Sequence, residues 1–207
     1  MSPIFPRLYA ILSPDTFPGS LDDWARRLAA AGVQLIQFRD KHSSSAQLLA
    51  ASRRLVALSF ELQFRLIIND RADIAFLSGA SGVHVGQDDL PIEAARKICG
   101  PGALIGISTH NLGQLRAAAA TSADYIAVGP IFPTSTKQNP DPVVGLDFIR
   151  EARSLTTKPL VAIGGITAKR APKVYAAGAD SVAVASDLAT APDLPFRISA
   201  FLRAAAP

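Results

Sequence analysis

The chain reads as an α/β protein built as a single-domain (β/α)8 TIM barrel. Three observations predict this. Short apolar runs alternate with helical stretches eight times along the 207 residues. The runs are apolar throughout instead of alternating, as parallel strands covered on both faces are. The unusual polar residues collect just past the ends of those runs, where barrels of this kind build their sites. Eight units leave about 26 residues each, compact beside the roughly 250 residues typical of such barrels, so one domain fills residues 1–207. A doubly wound open sheet more often shows five or six strands and a glycine fingerprint after the first; neither is present.

Taken in order, Leu8 to Leu12 is the first strand and Ser20 to Ala31 the first helix, opened by Ser20 as a cap and closed by Gly32. Val33 to Phe38 is the second strand, and a Ser-rich turn leads to a helix over Ala46 to Leu58. Ile67 and Ile68 form a third strand ending at Asn69-Asp70, with a helix from Arg71 to Ser78. Gly82 to Val85 is the fourth, followed by Gly86-Gln87-Asp88-Asp89 and a helix that Pro91 starts, where a missing N–H costs nothing. Leu104 to Ile107, then Ser108-Thr109-His110-Asn111 and a helix through Ala120, make the fifth unit. Tyr125 to Val128 is the sixth strand, separated by the long loop GPIFPTSTKQNPDPVVG from a helix over Leu146 to Ser154. Leu160 to Ile163, closed by Gly164-Gly165, precedes a helix over Ala168 to Ala177. Ser181 to Ala185 is the eighth strand, with Ser186-Asp187 after it and a last helix from Phe196 to Ala205.

At 49% hydrophobic and 18% charged, the chain buries a large core. The net charge of +4 comes from scattered Arg and Lys with no basic run or interleaved aromatics, which argues against nucleic acid and suits small anionic ligands. A lone cysteine, Cys99, excludes an internal disulfide and a cysteine-rich metal site. No segment approaches the about 18 uninterrupted apolar residues of a membrane span, so no membrane partner and a cytoplasmic setting are expected.

The chemistry concentrates in IINDRADIAFLSGASGVHVGQDDL, where two acidic clusters each follow an apolar run. On parallel neighbouring strands, Asp70 and Asp89 reach the same end of the sheet. Two carboxylates with an amide nearby are hard oxygen ligands, suited to a Mg²⁺ that keeps waters and holds a phosphate. Either pair alone reads more readily as a helix cap, the usual work of Asn and Asp. Alternation along the second strand turns Gln37, Arg39 and Lys41 the same way, an amide and two cations suited to a diphosphate. The loop Pro133-Thr134-Ser135-Thr136-Lys137 offers three hydroxyls and an ammonium. It is an anion cradle or lid, in a loop longer than a compact domain ordinarily needs. Gly164-Gly165 and Ser186 match the phosphate site often formed after strands seven and eight. His84 and His110 have no locatable acid partner and read as packed residues, and His42 as an exposed loop residue.

The blocks IQFRDK, INDRADIA, GVHVGQDDLP, IGISTHN, ADYIAVGPIFPTSTK, VAIGGIT and GADSVAVAS resemble the thiamine phosphate synthase family from the first strand through the eighth. The resemblance implies a transferase of thiamine biosynthesis. It joins 4-amino-2-methyl-5-(diphosphomethyl)pyrimidine to 4-methyl-5-(2-phosphoethyl)thiazole and releases diphosphate by a Mg²⁺-assisted dissociative substitution. It implies Asp70 and Asp89 on the metal, and Gln37, Phe38, Arg39, Asp40, Lys41, Asn69 and Lys137 around the pyrimidine diphosphate. Ser108 faces the pyrimidine, and Thr134, Ser135, Thr136, Gly165, Ala185 and Ser186 hold the thiazole phosphate. Arg39, Lys41, Lys137 and Ser108 carry the catalysis on this reading. Ala185 stands where Val or Ile is expected, and Lys169-Arg170 where Asn is common. The oligomeric state is left open, with a homodimer allowed. Two other readings resemble parts of the chain or fit it: a thiazole tautomerase using His110 as acid/base, and a non-catalytic paralogue that binds a thiamine precursor. The intact HVGQDD and PTSTK blocks favour the synthase, since an isomerase releases no diphosphate.

Overall fold

The computed structural model describes residues 5–134 and 141–204. Eight parallel strands close into a barrel in sequence order, each hydrogen-bonded to the next and β8 to β1. They are β1 (Leu8–Leu12), β2 (Leu35–Phe38), β3 (Arg65–Asn69), β4 (Gly82–Val85), β5 (Leu104–Thr109), β6 (Tyr125–Val128), β7 (Leu160–Ile163) and β8 (Ser181–Val184). The covering helices are α1 (Leu21–Ala30), α2 (Ser45–Leu62), α3 (Ala72–Ser78), α4 (Ile92–Cys99), α5 (Leu112–Ala119), α6 (Gly145–Leu155), α7 (Ala171–Ala176), α8 (Ser186–Ala189) and α9 (Leu194–Ala204). Among the described residues no helix is long and apolar enough to cross a membrane.

Alternation along each strand divides the apolar residues into two cores. One parity, including Phe38, Leu66, Ile68, Val83, Ile126 and Val182, faces the helices and joins Leu28, Leu55, Ile149 and Phe201. The other fills the barrel with Tyr9, Ile11, Leu35, Ile67, Tyr125, Ala127, Val161 and Ala183. Register sets these into layers: Ile11 pairs with Gln37 and Gln37 with Ile67, while Asn69 pairs with His84 and His84 with Gly106. Gly106 is required by space, because a Cβ there would sit 2.0 Å from the Tyr125 ring.

Helix ends follow local chemistry. Ser20 caps α1 by accepting from the Asp23 N–H at 3.2 Å, and Ser44 and Gln47 form a reciprocal capping box at α2. Helix α2 runs four residues beyond Leu58, because SFEL holds no stop signal and the chain turns only at Gln63, in the left-handed conformation (φ 58°). Helix α7 starts three residues later than expected: Pro172 must sit in its first turn, so Thr167 to Arg170 form a turn instead. The short helix α8 occupies what reads from sequence as loop, and Cys99 ends α4 half-buried.

At the N-terminal end of the barrel the same clasp occurs twice. Asp124, just before β6, accepts from the Ile105 N–H at 2.7 Å and pairs with Arg96 of α4 at 2.5 Å. Asp180, just before β8, accepts from the Leu160 N–H at 2.8 Å and pairs with Arg153 of α6 at 2.8 Å. Each carboxylate supplies an N–H in the first two residues of the neighbouring strand with an acceptor and ties that strand to a helix outside the barrel. Replacing Asp180 with Ala should lower the unfolding free energy by about 1–3 kcal/mol, the usual result of stranding such donors, as read from urea denaturation; an unchanged midpoint would make the clasp ornamental.

Candidate active site at the C-terminal mouth

All site residues that fall within the described chain lie at or just beyond the C-terminal ends of strands. Asp70 follows β3 with φ 63°, a left-handed conformation that Asp tolerates better than most residues, and its N–H donates to the His84 carbonyl at 2.7 Å. This turn aims its carboxylate across the mouth, where it pairs with Lys41. Asp89 is held in the next loop by the Gly86 N–H, which donates to its Oδ2 at 2.7 Å. Asp70 is a close acidic neighbour of Asp89 across the mouth. Partial burial and then this neighbour push the Asp89 carboxyl above the usual carboxylate range. Two facing carboxylates served by one ammonium form a site short of positive charge.

The strand-two residues divide by parity. Gln37 is buried inside the barrel, Arg39 and Lys41 stand beyond the strand at the mouth, and Phe38, at 1% exposure, packs under the helices. A substrate contact through the Phe38 side chain is therefore not available, although its backbone belongs to the mouth. The Asp40 carboxylate accepts from the N–H groups of His42 and Ser43 at 2.9 and 3.0 Å. It thereby shapes the loop that carries Arg39 and Lys41. Asn69 ends β3 in the inward register beside His84.

Three buried side chains, Tyr9, His84 and Tyr125, lie beneath the mouth, and Gln87 stands exposed in the loop after β4. His84 is buried with its Nδ1 3.0 Å from the Tyr125 hydroxyl and its Nε2 2.8 Å from Ser108 Oγ. Tyr125 lies 3.0 Å from the Tyr9 hydroxyl, which receives Gln37 Nε2 at 2.9 Å. Gln87 donates to the Ser108 carbonyl at 2.6 Å. Sequence reading passed over Tyr9, Tyr125 and Gln87; the detectable signal was that Tyr9 and Tyr125 share the inward parity of otherwise apolar strands.

The opposite side of the mouth is made by β6, β7 and β8. After the cis Gly129-Pro130 bond, Ile131 and Phe132 donate to the carbonyls of Ile163 and Gly164 at 2.8 and 3.1 Å, extending the sheet past its regular end. Gly165 (φ 59°) lies so close beneath that a Cβ would come within 2.4 Å of the Pro133 carbonyl. Arg170 clasps this corner, its guanidinium 4.6 Å over the Phe132 ring and donating to the Gly165 carbonyl at 2.6 Å. Ala185 and Ser186 sit at the start of α8, while Asp187 accepts from the Ala168 N–H and pairs with Arg197. Thr134 ends the described part of the loop; Ser135, Thr136 and Lys137 lie outside the described residues. His110 directs Nδ1 to the Gly129 carbonyl at 2.6 Å and Nε2 toward Asp141 at 3.5 Å, joining the two ends of the β6–α6 loop.

Burial holds the His84 imidazole down to about 4, against an ordinary value of 6.5, so the ring is neutral at pH 7. Above pH 6.5 it is uncharged in both folded and unfolded chains. Between 6.5 and 4 only the unfolded chain takes up the proton, so stability falls as pH falls, by up to about 3 kcal/mol from this group. Urea titrations at pH 7 and pH 4.5 should show a smaller pH-dependent loss in His84→Gln than in the parent; equal losses would mean that the ring is protonated in the fold.

Comparison with known proteins sets these features in context. The sequence model described as thiamine monophosphate synthase matches residues 8–188. A thiamine-phosphate synthase of Koribacter versatilis (strain Ellin345) is 50% identical over 192 residues, 90% of each chain. One from Shouchella clausii (strain KSM-K16) is 42% identical over 199 residues, covering 96% of this chain and 95% of that one. The solved structure of thiamine phosphate pyrophosphorylase from Pyrococcus furiosus superposes with a TM-score of 0.85 at 30% identity, covering 96% of this chain and 95% of the other.

Proposed function

The chain belongs to the thiamine monophosphate synthase family, and from that premise we propose how its barrel mouth performs the reaction. Its activity is that of a thiamine phosphate synthase, a transferase that joins the pyrimidine methyl diphosphate to the thiazole phosphate with release of diphosphate. The observation that carries the residue assignment is the nearness of Asp70 and Asp89 at the mouth, beside Lys41.

The facing carboxylates fit a Mg²⁺ ion: they are hard oxygen donors, partly buried, and carry more negative charge than Lys41 offsets. Among the described residues no cluster of three or more His, Cys, Asp or Glu converges, which agrees with a cation completed by water and phosphate oxygens. When bound, the ion supplies positive charge to the leaving diphosphate.

The chain's own residues do the rest. Arg39, Lys41 and Asn69 bind the diphosphate and stabilise the charge that grows on it as the carbon–oxygen bond lengthens. The family resemblance adds Lys137 to this group. Gln37 and Ser108 hold the pyrimidine over the closed barrel interior, which keeps water from beneath the reacting methylene. The backbone amides at Gly165, Ala185 and Ser186, with Thr134, Ser135 and Thr136, hold the thiazole phosphate and present the ring nitrogen as nucleophile. Departure of diphosphate ahead of attack requires no general base, and the histidines suit that order: His84 is neutral and bonded at both nitrogens, and His110 serves the loop.

Mass spectrometry of the protein incubated with both substrates should show thiamine phosphate and free diphosphate with Mg²⁺ and neither with EDTA. Interconversion of thiazole carboxylate isomers in place of that product would move the reading to the tautomerase. Asp89→Ala should lower turnover on the order of a hundredfold or more, the scale of losing a preorganised charge at the reacting group, while thiazole phosphate still binds by calorimetry. Full turnover in that variant would remove Asp89 from the metal site.

A further inference from the structure

Beneath the mouth, a chain of polar side chains crosses the barrel interior from β2 to β5. Gln37 Nε2 donates to Tyr9 Oη at 2.9 Å, and the Tyr9 and Tyr125 hydroxyls are 3.0 Å apart. Tyr125 Oη is 3.0 Å from His84 Nδ1, and His84 Nε2 is 2.8 Å from Ser108 Oγ. The four members Gln37, Tyr9, Tyr125 and His84 are each under 8% exposed. They are closed off below by Phe5, whose ring lies 5.1 Å from that of Tyr125. Water has little access, so each proton must find its acceptor inside the chain.

Counting protons fixes the direction. An amide NH₂ only donates, each phenol holds one proton, and a neutral imidazole holds one. Gln37 supplies the Tyr9 oxygen, so the Tyr9 proton passes to Tyr125 and the Tyr125 proton to His84 Nδ1. Nδ1 is thus an acceptor, the imidazole proton is on Nε2, and it goes to Ser108 Oγ. Every hydroxyl and imidazole proton of the buried chain is then used, and the second amide proton of Gln37 and the hydroxyl proton of Ser108 are left for partners outside it. In the opposite direction the Tyr9 oxygen would receive both Gln37 and Tyr125, and its own proton would be stranded in the core.

We propose that this chain is a positioning device. It holds His84 as the Nε2–H tautomer and thereby turns the Ser108 hydroxyl proton outward, making Ser108 a hydrogen-bond donor to an acceptor atom of the bound substrate. On the functional reading above, on which the second half of this inference rests, that acceptor is a lone pair of the pyrimidine. A ring nitrogen lone pair is selected and a ring N–H at the same place is rejected, because two donors would then face each other. His84, Tyr125 and Tyr9 act through Ser108 and touch no substrate themselves.

The test is the tautomer itself. In the full chain labelled with ¹⁵N-histidine, a long-range ¹H–¹⁵N spectrum at pH 7 separates the two neutral forms, and the signals missing from His84→Gln assign the ring. The expected result is a protonated Nε2 and an unprotonated Nδ1; a protonated Nδ1 overturns the proposal. Tyr125→Phe, which keeps the ring and deletes the donor to Nδ1, should shift the His84 signals toward a mixture of tautomers. It should also lower kcat/KM for the pyrimidine diphosphate on the order of tenfold, with KM for thiazole phosphate unchanged. Ser108→Ala should then cost less in the Tyr125→Phe background than in the parent; strictly additive losses would show that Tyr125 does not act through Ser108. Loss of synthase activity leaves the tautomer readout intact, so failure of the functional reading is seen separately.

Discussion

Closure of eight parallel strands is the constraint from which the rest of this structure follows. A parallel strand repeats its side-chain direction every second residue, and closure allows no strand to slip without moving its inward set outward. One parity must therefore fill the interior and the other must meet the helices. The same rule that buries Ile67 and Leu35 also turns Gln37, His84 and Ser108 inward, and it delivers Arg39, Asp70 and Asp89 to one end, where the strands stop.

The two ends of the barrel use carboxylates in opposite ways. At the N-terminal end Asp124 and Asp180 are each answered by an Arg and a strand N–H, and they stabilise the fold. At the C-terminal end Asp70 and Asp89 face each other, Asp70 from a left-handed turn and Asp89 lifted above its ordinary pKa range. Strain and unbalanced charge of this kind lower stability and are retained where a ligand offsets them. The interior between the two ends is uncharged, an apolar filling crossed by one chain of polar side chains. Its tyrosines and histidine are neutral and fully bonded, which gives a dry floor under the site without an unpaired polar group.

The eight-unit architecture was legible in the chain because each strand is short, apolar on both faces and ended by a polar or glycine residue. Leu8–Leu12, Gly82–Val85, Tyr125–Val128 and Leu160–Ile163 form as the pattern predicts. Helix limits were less legible. The run after Leu58 lacks a stop signal, Pro172 fixes a first turn that helix-forming neighbours obscure, and the four residues of α8 are too few for periodicity to register. In the candidate site, position past a strand located Asp70, Asp89, Arg39 and Lys41 at the C-terminal mouth. It does not give the direction of Phe38 and Asp40, where strand parity buries the first side chain under the helices and a local turn engages the second.

The sequence by itself determined the fold class, the single domain, the family and the acidic and basic residues of the mouth, because those depend on residue type and spacing along the chain. Tertiary structure alone decided which groups touch. That Tyr9, 116 residues from Tyr125, shares a hydrogen bond with it, or that His84 rests against Ser108, follows from ring closure and register, and no local pattern encodes either. Contacts of that separation are set by the shape of the whole barrel, because each strand's inward face is defined only when the other seven are in place.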